Sequence, residues 1–179
     1  MKTFLMLRLL LFVTLLITAP AVFGQAEVSR DKTRDRLTAL LNRVGPDVKI
    51  AFQKSQKSEY VFTGMLREGL TNAESMEIVI SVTPKDTIGF RVFPHYNGGY
   101  INIDKVRNTT QLLRKIAQLN DTAFLFWGAD DTGDVFTAYT FTLESGFPDA
   151  AIKIVLESIK NSDKLVGEMR PSIDGTNAP

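Results

Sequence analysis

The side chains that could carry chemistry in this chain are few, and their spacing does not assemble them. His95 is the only histidine and cysteine is absent. A histidine-dependent triad would therefore have to use His95 with a serine and an acid brought from elsewhere, and cysteine nucleophiles, disulfides and cysteine-ligated metals are excluded. Ser145 lies in Glu144-Ser145-Gly146, without the preceding glycine of a nucleophile elbow. Asp130, Asp131 and Asp134 are the densest set of hard oxygen ligands, the kind calcium takes. Thr132 and Gly133 stand where an EF-hand loop needs other residues, however, and the composition of 128–134 is that of a hairpin loop. Gly98-Gly99, Gly45-Pro46 and Gly69 form neither a dinucleotide fingerprint nor a P-loop. Among 20 acidic residues no spacing selects the pair that glycoside hydrolysis needs. The residues assign no catalytic group, cofactor or metal, and they favour binding over catalysis.

Aromatic residues are the more informative cluster. Phe124, Phe126 and Trp127 stand close in sequence to Tyr139 and Phe141, and both stretches alternate as strands do. Half of these rings must point toward a core. If helices cover one face of the sheet, the rings on the other face offer a partner surface, and Phe126, Trp127 and Tyr139 are the candidate partner-binding residues.

The elements that position these groups can be read from periodicity. Leu37, Leu40, Leu41 and Val44 make a helical stripe closing a segment that begins at Ser29, and Gly45-Pro46 stops it. Its charged first half, Arg30 to Arg36, reads as the solvated part of an amphipathic helix. From residue 48 to 104 the period is two: strands over 60–66, 77–83 and 88–94, with turns at Pro84-Lys85-Asp86 and Asn97-Gly98, and a short return over 100–104. Asn108 and Gln111 make a capping box for a second helix bearing Leu112, Leu113, Ile116 and Leu119, with Asn120 as its terminator. Strands over 123–127 and 135–143 follow, the second reading as central because both faces carry bulk. Pro148 opens a third helix with Ile152, Val155, Leu156 and Ile159. Short connections force antiparallel pairing, so the expected fold is α+β, an antiparallel sheet of about five strands with three helices in the order α-βββ-α-ββ-α.

The N-terminus reads as an export signal. Lys2 and Arg8 precede the apolar run 9–17, and Ala19, Pro20, Ala21 and Gly24 follow. The run is shorter than the roughly 20 residues of a membrane span. Cleavage after Gly24 is the preferred reading, with Ala21 and Ala26 as alternatives and an uncleaved membrane anchor as the other outcome. Residues 1–24 hold two of the 21 basic side chains and none of the 20 acidic ones, so the 155 residues that follow carry a net charge of −1. That lacks the basic excess a phosphate backbone demands, which argues against nucleic acid as a partner. A mature chain of this length buries on the order of 70% of its unfolded surface and forms one domain without disulfides.

Residues 27–171 resemble the YbjN family of bacterial domains. The resemblance rests on Asn120, on Ala123-Phe124-Leu125-Phe126-Trp127-Gly128, on the hairpin Asp131-Thr132-Gly133-Asp134, on the Tyr139 strand, on Gly146-Phe147-Pro148, and on Asp163 ahead of Pro171. It implies a type III secretion chaperone-like fold, often dimeric, in proteins described as sensory transduction regulators or chaperone-like, with no catalytic residue to carry over. The expected protein is thus an exported, periplasmic or extracellular, non-enzymatic adaptor or regulator. It would bind a protein or peptide through its sheet face or a free strand edge, alone or as a homodimer, with membrane contact only through the signal segment. The alternative is a small-ligand-binding protein or hydrolase with a pocket between sheet and helices. Residues 172–179 are expected to form a disordered tail.

Overall fold

In the computed structural model, which describes residues 21–175 and the side chains from Ser29 onward, the two periods of the sequence become an α+β fold. Helix α1 spans Ala21–Val44. Strands β1 (Gln53–Ser55), β2 (Ser58–Leu66), β3 (Ser75–Val82), β4 (Thr87–Tyr96) and β5 (Gly99–Tyr100) precede helix α2 (Thr109–Thr122). Strands β6 (Phe126–Ala129) and β7 (Val135–Thr142) lead to a last helical segment. It is split by a 3₁₀ turn at Ile159–Asn161 into α3 (Asp149–Ser158) and α4 (Ser162–Asp174). All strands join one antiparallel sheet in the order β1-β2-β3-β4-β7-β6, with β5 paired to the end of β4. The expected α-βββ-α-ββ-α order is present. The strand count exceeds the expected five because two short pieces, β1 and β5, extend it.

Residues 1–20 of the expected signal segment and 176–179 of the expected tail lie outside the described residues, and 21–24 belong to α1. Residues 172–174, expected in the tail, are helical. That last helix is hard to read because it contains Gly167 and Pro171, both poor helix residues. Gly167 lies against the Asn72 side chain, 2.6 Å from where a Cβ would stand, so a larger residue there would have to displace Asn72. No helix of the described residues is long and apolar enough to cross a membrane.

One face of the sheet is the core. Register carries a row Gly64–Ile78–Val92–Thr137–Trp127 across five strands, and beside it Phe62–Ile80–Phe90–Tyr139. Against these rows pack Leu37, Leu40, Leu41 and Val44 of α1, Leu112, Ile116 and Leu119 of α2, Ile152, Val155 and Leu156 of α3, and Val166 and Met169 of α4. Each such side chain contributes about 1.5–3 kcal/mol by leaving water. The stripes at i, i+3, i+4 turn every helix to this one face.

The charged half of α1 is more than a solvated surface. Arg30 donates from Nε and Nη2 to the Val82 carbonyl at 3.1 and 2.8 Å, and its guanidinium lies 3.6 Å over the Tyr60 ring. Arg34 pairs with Asp31, Asp35 and Glu59, while the Tyr60 hydroxyl donates to Asp31. These charges fasten α1 across β2 and β3. Periodicity shows only which side of a helix is polar, so this use of the polar side was not visible in it.

Asn108 caps α2 as expected, accepting from the Gln111 N–H at 3.0 Å. Asn120 does not end that helix. It accepts from the Trp127 N–H at 2.6 Å and donates to the Trp127 carbonyl at 3.0 Å, standing in for a neighbouring strand along the outer edge of β6. Asn120→Ala should therefore cost about 1–2 kcal/mol, read by urea denaturation, because two main-chain groups lose their partner. A loss below about 0.3 kcal/mol would mean water replaces the amide without cost.

Candidate functional site

With every helix of the described residues on one side, the opposite face of the sheet is left open among them, and register defines what it presents. One row runs Thr63–Val79–Arg91–Ala138–Phe126, and a second contains Met65, Glu77 and Phe93, with Phe136 and Gly128 paired alongside. The Phe93 and Phe136 rings lie 5.8 Å apart, and the Arg91 guanidinium lies 4.8 Å over the Phe136 ring. Phe126 extends the aromatic surface. A Cβ on Gly128 would stand 3.2 Å from the Phe126 ring and 3.4 Å from that of Phe136, so both rings lie over this glycine.

At one end the face is polar. Tyr100 lies 4.5 Å from the His95 ring and 5.7 Å from Phe93, and its hydroxyl donates to Glu77 Oε2. That bond, then burial and the charges of Glu77 and Asp134, push the Tyr100 phenol up to about 12. Tyr100 therefore stays protonated at neutral pH and acts as a donor, not as a base. His95 Nε2 is buried without a hydrogen-bond partner, 3.6 Å from Glu77 Oε2. His95 is thus placed beside an acid, near the end of β4. No serine or threonine hydroxyl bonds it among the described residues, and a base–nucleophile pair is not assembled.

The three aromatic residues expected to bind a partner are not one surface. Trp127 is 1% exposed and lies in the core row, because its alternation partner Thr137 faces the helices. It is withdrawn from the partner surface. Tyr139 also faces the helix side, half-buried, stacked on Phe124 at 5.4 Å and against Phe141 at 4.8 Å. Phe126, paired with Ala138, stands alone of the three on the open face and is 59% exposed. The residues the sequence reading passed over are Arg91, Phe93 and Phe136. The signal for Phe93 and Phe136 was the alternation itself, since each is out of phase with its buried neighbours.

The acidic hairpin loop is built from its own hydrogen bonds. Asp130 Oδ1 accepts from the N–H groups of Thr132 and Asp134 and from the Thr132 hydroxyl, and Asp134 accepts from the Asn102 amide at 2.8 Å. Burial opposes ionisation of Asp130, but these bonds outweigh it and hold its carboxyl below the usual range. Among the described residues no three acidic or histidine side chains gather in a way that could hold a metal ion.

Both sheet edges are protected. Asn120 occupies β6, and at the other side β1 is three residues long with Lys54 at its centre and a register break beside it. A free edge for strand addition is thus poorly offered, and the face is the larger surface. A separate cleft of about 670 Å³ lies where the β4–β5 turn meets residues 102–107 and the end of α4. Its carboxylates are engaged internally: Asp174 accepts from the Tyr96 hydroxyl at 2.7 Å, and Asp134 from Asn102. No protein-family model, curated protein or solved structure matches this chain.

Proposed function

We propose that this chain is an exported, non-enzymatic adaptor or regulator domain that receives a protein or peptide partner on the open face of its sheet. The observation that carries the reading is the aromatic surface Phe93–Phe136–Phe126 on the side away from the four helices of the described residues, with Phe126 more than half exposed at its end. Phe126 is exposed, Phe93 is partly so and Phe136 is covered beneath them, and an apolar surface of this kind bordered by polar groups is a usual mark of a partner site. The resemblance to the YbjN family, with its chaperone-like and regulatory members, agrees with a binding role. The test is affinity capture of the full chain from its native envelope fraction, beside a Phe126→Ser variant. The native chain should recover a partner at least tenfold more abundantly than the variant, whose melting temperature should be unchanged within about 2 °C. A native chain that is monomeric by size-exclusion light scattering and recovers no partner would overturn the reading.

The cleft at the end of α4 supports the second reading, a small-ligand site. A stabilising thermal shift with a metabolite panel, lost on substitution of Lys105 or Arg107 at its rim, would favour it over the face.

A further inference from the structure

We infer that the partner segment taken by the open face carries an acidic side chain set among apolar ones, and that Arg91 receives it. This rests on the face reading above and names the chemistry of its partner. Arg91 is exposed and makes no ion pair among the described residues. Asp130 is near enough to feel its charge but bonds instead to the hairpin's own donors. Glu77, the acid on the same face, is already engaged by the Tyr100 hydroxyl and stands beside His95. The unpaired charge of the surface is therefore the guanidinium, which lies 4.8 Å over the Phe136 ring on an exposed side chain.

Its position selects the source of the carboxylate. Arg91 sits mid-row, with Val79 and Thr63 on one side and Ala138 and Phe126 on the other. The row continues through Thr63 to Gln53 on β1, so its ends lie two and three strands, about 10 and 14 Å, away. A segment laid across the face thus meets Val79 before Arg91 and Ala138 and Phe126 after it, with surface continuing on both sides, so the matching acid is an internal aspartate or glutamate and not a chain terminus. Such a pair is charge-assisted and bidentate, stronger than a neutral hydrogen bond.

The test uses the full chain and three labelled nonapeptides of one leucine–phenylalanine pattern, followed by fluorescence anisotropy. One has a central aspartate and an amidated end, one has asparagine in that place and an amidated end, and one has asparagine and a free terminal carboxylate. The aspartate peptide should bind about tenfold more tightly than either asparagine peptide. The gap should narrow from 50 to 500 mM salt, and Arg91→Gln should close it while Phe126→Ser weakens all three. Equal binding of the three, or an advantage that survives Arg91→Gln, overturns the inference. If Phe126→Ser still weakens them equally, the face reading stands without it. Absence of binding, or binding indifferent to Phe126→Ser, overturns both.

Discussion

Replacing Asp163 by Ala should remove about 3–5 kcal/mol of stability, a large part of what a domain of this size possesses. The carboxylate is 7% exposed at the start of α4, yet no cation pairs with it among the described residues. Its charge is solvated by the backbone instead. It accepts from the N–H groups of Thr71 at 2.8 Å, Asn72 at 2.9 Å and Ala73 at 2.8 Å, and from the Asn72 amide at 3.2 Å. Those donors belong to the connection between β2 and β3, so one side chain holds a loop to a helix some 90 residues away. Alanine would leave up to three main-chain donors unsatisfied near Ala73, which is itself buried. Asparagine retains an acceptor but turns an NH₂ toward an N–H, and should cost about 2 kcal/mol. Urea denaturation followed by the fluorescence of Trp127, the single tryptophan, reads both. A loss under 1 kcal/mol for the alanine variant would mean that the loop finds other partners.

The same residue governs part of the acid limb of stability. Burial opposes its ionisation, but the backbone bonds from Ala73, Thr71 and Asn72 prevail and hold the native carboxyl below its ordinary range. A carboxyl whose native pKa is depressed stabilises the fold fully above the unfolded value of about 3.9, and that contribution is lost as pH falls through the native value. The native chain should therefore lose stability on acidification more steeply than Asp163→Asn. Asp130 is depressed too, so the difference between the two chains, not the slope of either, isolates Asp163.

How far such features could be read from residues depends on the distance over which they act. The helical stripes, the N-cap Asn108 and the Asn97-Gly98 turn, with φ of 53° and 81°, are local and legible in the sequence, although the expected capping box is only half made, because the Asn108 N–H donates to the Ser172 carbonyl and not to Gln111. Asn120 and Asp163 were visible as residues of note, but their roles were not. Each acts on backbone that folding alone brings near: the edge of β6, and the loop at Thr71–Ala73. The alternation along β7 separated its faces correctly, with Thr137 and Tyr139 on one and Phe136 and Ala138 on the other. Which face the helices would take is a tertiary fact. Phe126 and Trp127, adjacent in sequence, were grouped with Tyr139 by aromatic type although neighbouring strand residues must face opposite ways. The face itself also depends on Arg91 and Phe93 from β4, more than 30 residues before β6, and no short window of sequence connects them.

That separation of faces makes the sharpest pair of variants. Trp127→Ala should cost about 3–5 kcal/mol, because a fully buried indole leaves a cavity between β6, β7 and α2 that the surrounding strands cannot close. Trp127→Phe should cost much less than the alanine change, since the indole Nε1 makes no hydrogen bond that phenylalanine would forfeit. Phe126→Ser, one residue away, should change stability by under about 0.5 kcal/mol, since its ring is mostly in water and its removal opens no cavity. Partner capture should respond in the reverse order, falling with Phe126→Ser and holding with Trp127→Phe. A Phe126→Ser variant that unfolds as Trp127→Ala does would place its ring in a packed interior and leave the open face without its aromatic end. Capture lost equally in Phe126→Ser and Trp127→Phe, with both folded, would move the partner contact to the other side of the sheet, where Phe124 stacks on Tyr139 beside the helices.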